Sequence, residues 1–266
     1  MQRATQTRVN RAGMTLVELL VVLGILGLLA VLLLSSLSPS VKTAQGASCQ
    51  ENLRQLQLAW TAYALDHEDQ LPPNRFHPVP GTEYGRSAPG SWVVGHSRLD
   101  LDTRFLRRGV LFPYLPSYQV FKCPADVSTV DHHPELASTR SYGLSGYFNG
   151  EPFPELQSRY RSTLSAIMVP AARFSFIDEH EQHGNGFFLI SPEELHNHDW
   201  YPVGLNHLAA RRHNLGFNLA FADGHIERLG ILQPSTFLPG NEGGPDLTRL
   251  RGLIPLQSDR QYPIQE

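Results

Sequence analysis

The feature that most constrains this chain is a continuous apolar block near its amino terminus. Between Leu16 and Leu34 the one charged side chain is that of Glu18, and residues 19–34 carry no polar side chain. The segment from Met14 to Leu37 has about 24 residues, enough for a helix rising roughly 1.5 Å per residue to cross a hydrocarbon core of ~30 Å. The block therefore predicts one membrane-spanning helix.

Basic residues before the block set its expected orientation. Arg3, Arg8 and Arg11 precede it, and no acidic residue lies among them. The positive-inside rule then places the amino terminus in the cytoplasm and the remaining chain across the membrane. That remainder is rich in turn residues, because the 266-residue chain has 20 prolines and 22 glycines. A protein that crosses the membrane several times is therefore excluded. A net charge of −3 with dispersed basic residues predicts no nucleic-acid partner.

Glu18 separates the possible explanations of the block. A carboxylate inside a membrane segment costs about 2.5–3.5 kcal/mol, so it needs a partner. A secretory signal peptide has a shorter apolar region, of about 7–15 residues. A plain signal anchor accounts for the length but not for the glutamate. A third explanation accounts for both.

The residues around the start of the block, Gly13-Met14-Thr15-Leu16-Val17-Glu18, resemble the class III leader of type IV pilins and type II secretion pseudopilins. The resemblance implies that prepilin peptidase cuts after Gly13 and methylates Met14, where the family more often has phenylalanine. It also implies that Glu18 neutralises the amino group of a neighbouring subunit during assembly. The attraction between the two charges would then offset the free-energy cost of burying them. Loss of the three leader arginines would take the net charge from −3 to near −6.

After the block, the spacing of apolar residues predicts an amphipathic helix. Its stripe consists of Cys49, Leu53, Leu56, Trp60 and Tyr63, at intervals of four and three. Pro39 predicts a kink or short break before it, and Leu71-Pro72-Pro73 predicts its end. In pilin-like proteins such a helix lies on a sheet, although an ordinary core helix after an anchor has the same geometry.

The chain has two cysteines, Cys49 and Cys123, which is too few for a disulfide-dense scaffold and lacks the spacing of a zinc site. In an exported domain each is the other's obvious partner. A disulfide closing their loop of roughly 73 residues would stabilise the fold by around 4 kcal/mol on the chain-entropy model. The alternative is two buried free thiols.

The carboxyl-terminal half predicts several strands and one hairpin. Strands are expected at 91–94, 141–147, 173–178 and 186–190, and the hairpin over 217–229, with a two-residue turn at Asp223-Gly224. His213 followed after nine residues by Asp223-Gly224 resembles the H-x9-DG motif of bacterial prepilin-type proteins. The stretches that carry this resemblance are 49–53, 122–126, 141–143, 212–214 and 223–225.

A metal site at His213 and Asp223 is not expected, because roughly 23 Å of extended strand separates them. Asp223 is interpreted as a turn residue and His213 as fixing the loop before the strand. If strand 173–178 pairs antiparallel with 216–222, Asp178 and Glu179 arrive near His213, where an ion pair, a hydrogen bond or a cation site could form. The remaining histidines lack metal-ligand spacing, and no hydrolase, phosphate-loop or dinucleotide motif occurs, so neither cofactor nor enzymatic activity is expected.

These observations predict an α+β fold in which a long amino-terminal helix packs on an antiparallel sheet, as in pilins. The expected divisions are a leader at 1–13, a transmembrane helix at 14–38, a periplasmic amphipathic helix at 39–71, a globular head at 72–229 and an extended tail at 230–266. Within that tail, residues 247–256 are a candidate for one short helix.

The predicted function is that of a structural subunit, a pseudopilin of a type II secretion or type IV pilus-like filament in the bacterial inner membrane. Its expected partners are prepilin peptidase, other pseudopilin subunits, the inner-membrane secretion platform and membrane lipid. Two alternatives remain open at this point. One is an anchored adhesion or ligand-binding module exported by the same route, and the other is a membrane-tethered hydrolase.

Overall fold

The structure is a computed structural model. It describes residues 14–78, 85–150, 154–181, 184, 186–190, 209–233 and 244–255, without the side chains of residues 32–40, 78, 154 and 155. The chain divides into two compact units, with the division between Lys42 and Thr43.

In the described part of the first unit, all of the secondary structure belongs to helix α1, which continues into the second unit. It runs from Leu16 to Asp66, and the helix is unbroken at Pro39, where a kink or short break was expected. Every side chain from Met14 to Val31 is exposed. No helix in the described part of the chain is both long enough and apolar enough for a membrane crossing.

The second half of α1 has the apolar stripe that its spacing predicts. Cys49, Leu53, Leu56 and Trp60 are each 0% exposed, and Tyr63 is half-buried. The helix ends at Asp66, before the expected end at residue 71, and Glu68 and Asp69 follow it with positive φ.

A five-stranded sheet lies against this stripe. Its strands are β5 (Tyr142–Ser145), β6 (Phe174–Asp178), β7 (Phe187–Phe188), β8 (Gly216–Phe221) and β9 (Ile226–Gly230), in the order β7-β5-β6-β8-β9. Neighbours pair antiparallel except β7 and β5, which pair in parallel. The expected all-antiparallel sheet is therefore a mixed one with a parallel edge strand.

Both faces of the sheet are covered, which explains why β6 and β8 are buried along their whole lengths. On one face, Leu144, Phe176 and Ala220 pack with the α1 stripe and Trp92. On the other face, an apolar cluster joins the sheet to the carboxyl-terminal segment; its members include Phe174, Ile177, Phe217, Leu219, Phe221, Leu247, Leu250 and Ile254. The sheet is the middle layer of the second unit.

The remaining elements are short, and none of them is part of the central sheet. Two small antiparallel sheets consist of β1 (Phe76–Pro78) with β2 (Gly85–Ser87), and β3 (Thr129–Val130) with β4 (His133–Ala137). Short 3-10 helices lie at Leu106–Arg108, Phe112–Tyr114, Tyr118–Phe121, Pro154–Arg159 and Pro170–Ala172. The strand expected at 91–94 is instead a buried bend, in which the Trp92 Nε1 donates to the carbonyl of Gly186 at 3.0 Å.

The β8–β9 hairpin forms where it was expected, but its loop has three residues. The Phe221 amide donates to the His225 carbonyl at 2.9 Å, enclosing residues 222–224. Gly224 has φ +101, a conformation that L side chains rarely adopt. Asp223 accepts from the His225 amide at 3.1 Å, so its carboxylate stabilises the turn.

The segment expected to be an extended tail contains a helix that overlaps the candidate helix at 247–256. Helix α3 runs from Pro245 to Arg251 and buries Leu247 and Leu250 against the sheet. Its Asp246 is also buried and accepts from the amides of Leu232 and Gln233, so the chain after β9 is tied to this helix.

Candidate functional site

The amino-terminal motif forms a helix cap in the first unit. The Glu18 carboxylate accepts hydrogen bonds from the Thr15 amide at 2.8 Å and from the Thr15 hydroxyl at 2.9 Å, while the Glu18 amide donates back to that hydroxyl at 3.3 Å. This reciprocal pattern is a capping box, which satisfies donors that a helix start otherwise leaves free. Met14 is exposed, and Gly13 lies outside the described residues.

A second candidate site lies inside the second unit, where four separate elements meet. Cys49 comes from α1, and Cys123 follows the 3-10 helix at Tyr118–Phe121. Asp178 ends β6, and His213 lies in the short turn α2 (Arg212–Leu215) that leads into β8. One ligand atom from each of the four residues lies within 4.8 Å of all the others. We call Cys49, Cys123, Asp178 and His213 the buried thiol cluster.

The distances within the buried thiol cluster are those of direct contacts. The His213 Nε2 lies 3.2 Å from the Cys123 Sγ and 3.3 Å from Asp178 Oδ2. The Cys49 Sγ lies 3.9 Å from the same Asp178 oxygen and accepts from the Tyr142 hydroxyl at 3.3 Å. Both cysteines are free thiols here, and the Cys49–Cys123 disulfide stays a prediction.

The surroundings shift the pKa values of three cluster members. Burial raises the pKa of the Cys49 thiol well above its ordinary value. A hydrogen bond with Cys49, aided by His213 and opposed by burial, lowers the pKa of Cys123 to about 6. Burial alone would lower the pKa of His213, but its hydrogen bonds with Asp178 and Cys123 raise it to about 9. The two shifts act in the same direction, since both favour a Cys123 thiolate beside a protonated His213.

Arg212 supplies positive charge next to the cluster. Its Nη1 donates to Asp178 Oδ1, and its Nη2 lies 3.3 Å from Asp126 Oδ1, while both carboxylates are buried. Burial by itself would lower the pKa of Arg212, but these two carboxylates raise it. Arg212 also lines a cavity of about 420 Å³, together with Asp126, His180, Glu181 and other residues.

A left-handed turn presents the His213 ring to the cluster. His213, Asn214 and Leu215 have φ values of 54, 60 and 53, although none of them is glycine. Such residues cost of order 1–3 kcal/mol each and persist where surrounding structure holds them. Here Arg228 holds the turn, since it donates to the carbonyls of His213 and Asn214 at 3.0 and 2.9 Å.

The structure separates other residues that the sequence placed together. Strand β8 lies between His213 and Asp223, so roughly 20 Å of chain keeps them apart. Pairing of β6 with β8 is antiparallel, and it brings Asp178 to His213 as expected. Glu179 does not join them, because its carboxylate lies beside Gly143.

Three residues at this site were not predicted from the sequence to belong to it: Tyr142, Asp126 and Arg212. A signal for them was present, because each lies in one of the stretches that resemble the H-x9-DG proteins. Those stretches are far apart along the chain, at 122–126, 141–143 and 212–214. Without the strand register nothing indicated that they converge on one point.

Comparison with known families gives one match. Residues 8–34 match the family model of the prokaryotic N-terminal methylation motif. No curated protein and no solved structure matches the chain. The match supports a prepilin-type, pilin-like protein, and it covers Gly13, Met14 and Glu18.

Proposed function

We propose that this chain is a pseudopilin, a structural subunit of a type II secretion or type IV pilus-like filament. Prepilin peptidase would remove residues 1–13 and methylate Met14, and the mature subunit would assemble through α1. The single observation that carries the proposal is the match of residues 8–34 to the N-terminal methylation motif.

The exposure of the first part of α1 supports an assembly role. Leu16, Leu20 and Leu28 are 74, 59 and 64% exposed, and apolar residues surround the helix on all sides up to Val31. A helix that is apolar all round is stable when lipid or other helices cover it. In the proposal, inner-membrane lipid covers it before assembly and neighbouring subunits cover it afterwards.

The second unit supports a structural rather than an enzymatic role. The lowered pKa of Cys123 and the raised pKa of His213 are typical of a catalytic cysteine and its histidine. Both side chains are buried, however, so a substrate would not reach them. The function that we propose therefore needs no catalytic step in this chain. Membrane insertion with a cytoplasmic amino terminus and a periplasmic head is part of the same proposal.

Replacing Gly13 by leucine tests the processing step. The bulky side chain at the cleavage position should leave the leader attached, so that Gly13→Leu accumulates as a chain heavier by residues 1–13. Gly24→Leu is the matched control, because a side chain at Gly24 meets nothing within 4 Å and the residue lies outside the cleavage motif. The measurement is the mass of each chain after co-expression with a prepilin peptidase. Equal processing of the two variants, or cleavage without the peptidase, would contradict the proposal.

A further inference from the structure

We propose that the buried thiol cluster is a four-coordinate binding site for a divalent transition metal of the zinc class. Its donors are two thiolate sulfurs, one imidazole nitrogen and one carboxylate oxygen, a mixed set that suits zinc. All four residues are buried, and their ligand atoms lie within 4.8 Å of one another. This inference is independent of the filament role.

The spacing of the ligand atoms fits a tetrahedral ion. With zinc–sulfur bonds of about 2.3 Å and zinc–nitrogen or zinc–oxygen bonds of about 2.1 Å, adjacent ligands in a tetrahedron lie about 3.4–3.8 Å apart. The observed separations are 3.2 Å for Cys123 to His213, 3.3 Å for His213 to Asp178 and 3.9 Å for Cys49 to Asp178. The other ligand pairs lie no more than 4.8 Å apart, so movements of up to about an ångström would bring the four ligands to an ion at their centre.

The neighbouring residues orient the ligands as the outer shell of a metal site does. Arg212 donates a hydrogen bond to Oδ1 of Asp178, and the other oxygen, Oδ2, lies near Cys49 and His213, where it could bind the ion. The Tyr142 hydroxyl donates to the Cys49 sulfur, which stabilises a thiolate there. Partners of this kind fix ligand geometry and commonly change metal affinity when they are removed.

Charge also favours a divalent ion. Two thiolates and one carboxylate carry three negative charges, so a bound divalent ion would reduce the net charge of the cluster to −1. The guanidinium of Arg212, which contacts Asp178, compensates that remaining charge. Without an ion, full ionisation of these buried groups would be opposed by their mutual repulsion. Since four protein ligands fill the coordination, the ion would be structural and would join α1 to the sheet.

The ion and the predicted disulfide exclude each other, because both use the sulfurs of Cys49 and Cys123. A disulfide would leave neither sulfur as a thiolate ligand. The two cysteines are also the only two in the chain, so any thiol measurement reports on this site alone.

Titration of the full-length protein in detergent tests the proposal. The protein is reduced, freed of metal with a chelator and titrated with Zn²⁺ or Co²⁺. We expect one ion per chain, cobalt spectra typical of tetrahedral thiolate coordination, and slower maleimide labelling of the wild-type cysteines that a chelator reverses. Loss of an outer-shell partner alone costs about 10–100-fold in metal affinity, so loss of a ligand in Cys123→Ser or His213→Gln should weaken binding by about 100-fold or more. His225→Gln, at an exposed turn histidine, should bind as the wild type does.

Two results would overturn the inference. One is unchanged metal affinity in Cys123→Ser. The other is wild-type protein, isolated without reductant, that contains no metal and has the mass of a chain lacking two hydrogens, since that protein carries the disulfide. The measurement of metal content and mass uses wild-type protein, so it decides the question even if a variant fails to fold.

Discussion

Replacing Glu18 by glutamine should abolish filament assembly while leaving processing and the helix cap intact. Glutamine keeps a side-chain oxygen that can accept from the Thr15 amide and hydroxyl, as Glu18 does. It removes the negative charge that, in our proposal, pairs with the amino terminus of a neighbouring subunit. Breaking a buried pair costs about 3–5 kcal/mol, so subunit addition should fall by more than about a hundredfold.

Thr15→Ala is the matched control, because it removes the two hydrogen bonds of the cap that involve the Thr15 hydroxyl and leaves the Thr15 amide and the Glu18 carboxylate in place. Loss of a capping side chain costs about 0.5–2 kcal/mol, so filaments should still form in this variant. The measurement is the amount of subunit recovered in sheared, pelleted filaments, normalised to processed subunit in the membrane. If Thr15→Ala fails as completely as Glu18→Gln, Glu18 acts as a cap and the assembly role is wrong.

Replacing Arg212 by methionine should produce the largest loss of stability in the second unit. The methionine fills similar space but leaves the carboxylates of Asp178 and Asp126 buried without their guanidinium partner. Removal of one partner from a buried ion pair costs about 3–5 kcal/mol. The measurement is the free energy of unfolding from urea denaturation of the full chain in detergent, without added metal.

The adjacent arginine provides the control for this prediction. Arg211 is exposed, so Arg211→Met should change the free energy of unfolding by no more than about 0.5 kcal/mol. Equal stability of the two variants would show that Arg212 does not compensate the buried carboxylates.

The sequence predicts the elements of this fold best where apolar residues are contiguous or regularly spaced. The stripe from Cys49 to Trp60 and strands β6 and β8 belong to this class, because burial imposes a pattern on them. Strands β1 to β3 have two or three residues each, which is too few to show a period, and β4 has five residues of which none is buried. Helix α3 overlaps the short helix considered at 247–256, and Pro245 after Gly244 is a favourable helix start, but the surrounding prolines and glycines indicated a mainly extended chain.

For the buried thiol cluster, the sequence predicts each of two residue pairs but does not predict that the two pairs meet. Pairing of Cys49 with Cys123 followed from cysteine count, and approach of Asp178 to His213 followed from strand pairing. That the two pairs share one point depends on where α1 crosses the sheet, which no local pattern encodes. The left-handed turn at His213 is equally hidden, because residues other than glycine adopt positive φ singly, and His213 and Asn214, although more tolerant of it than most, do not predict a run of three.

The mass of the native amino-terminal peptide, taken from membranes of the producing bacterium, tests the central claim most directly. The account predicts a chain that begins at Met14 and carries one additional methyl group on its amino nitrogen. A chain that begins at Met1, or one cut beyond the apolar block after Leu34, would contradict it.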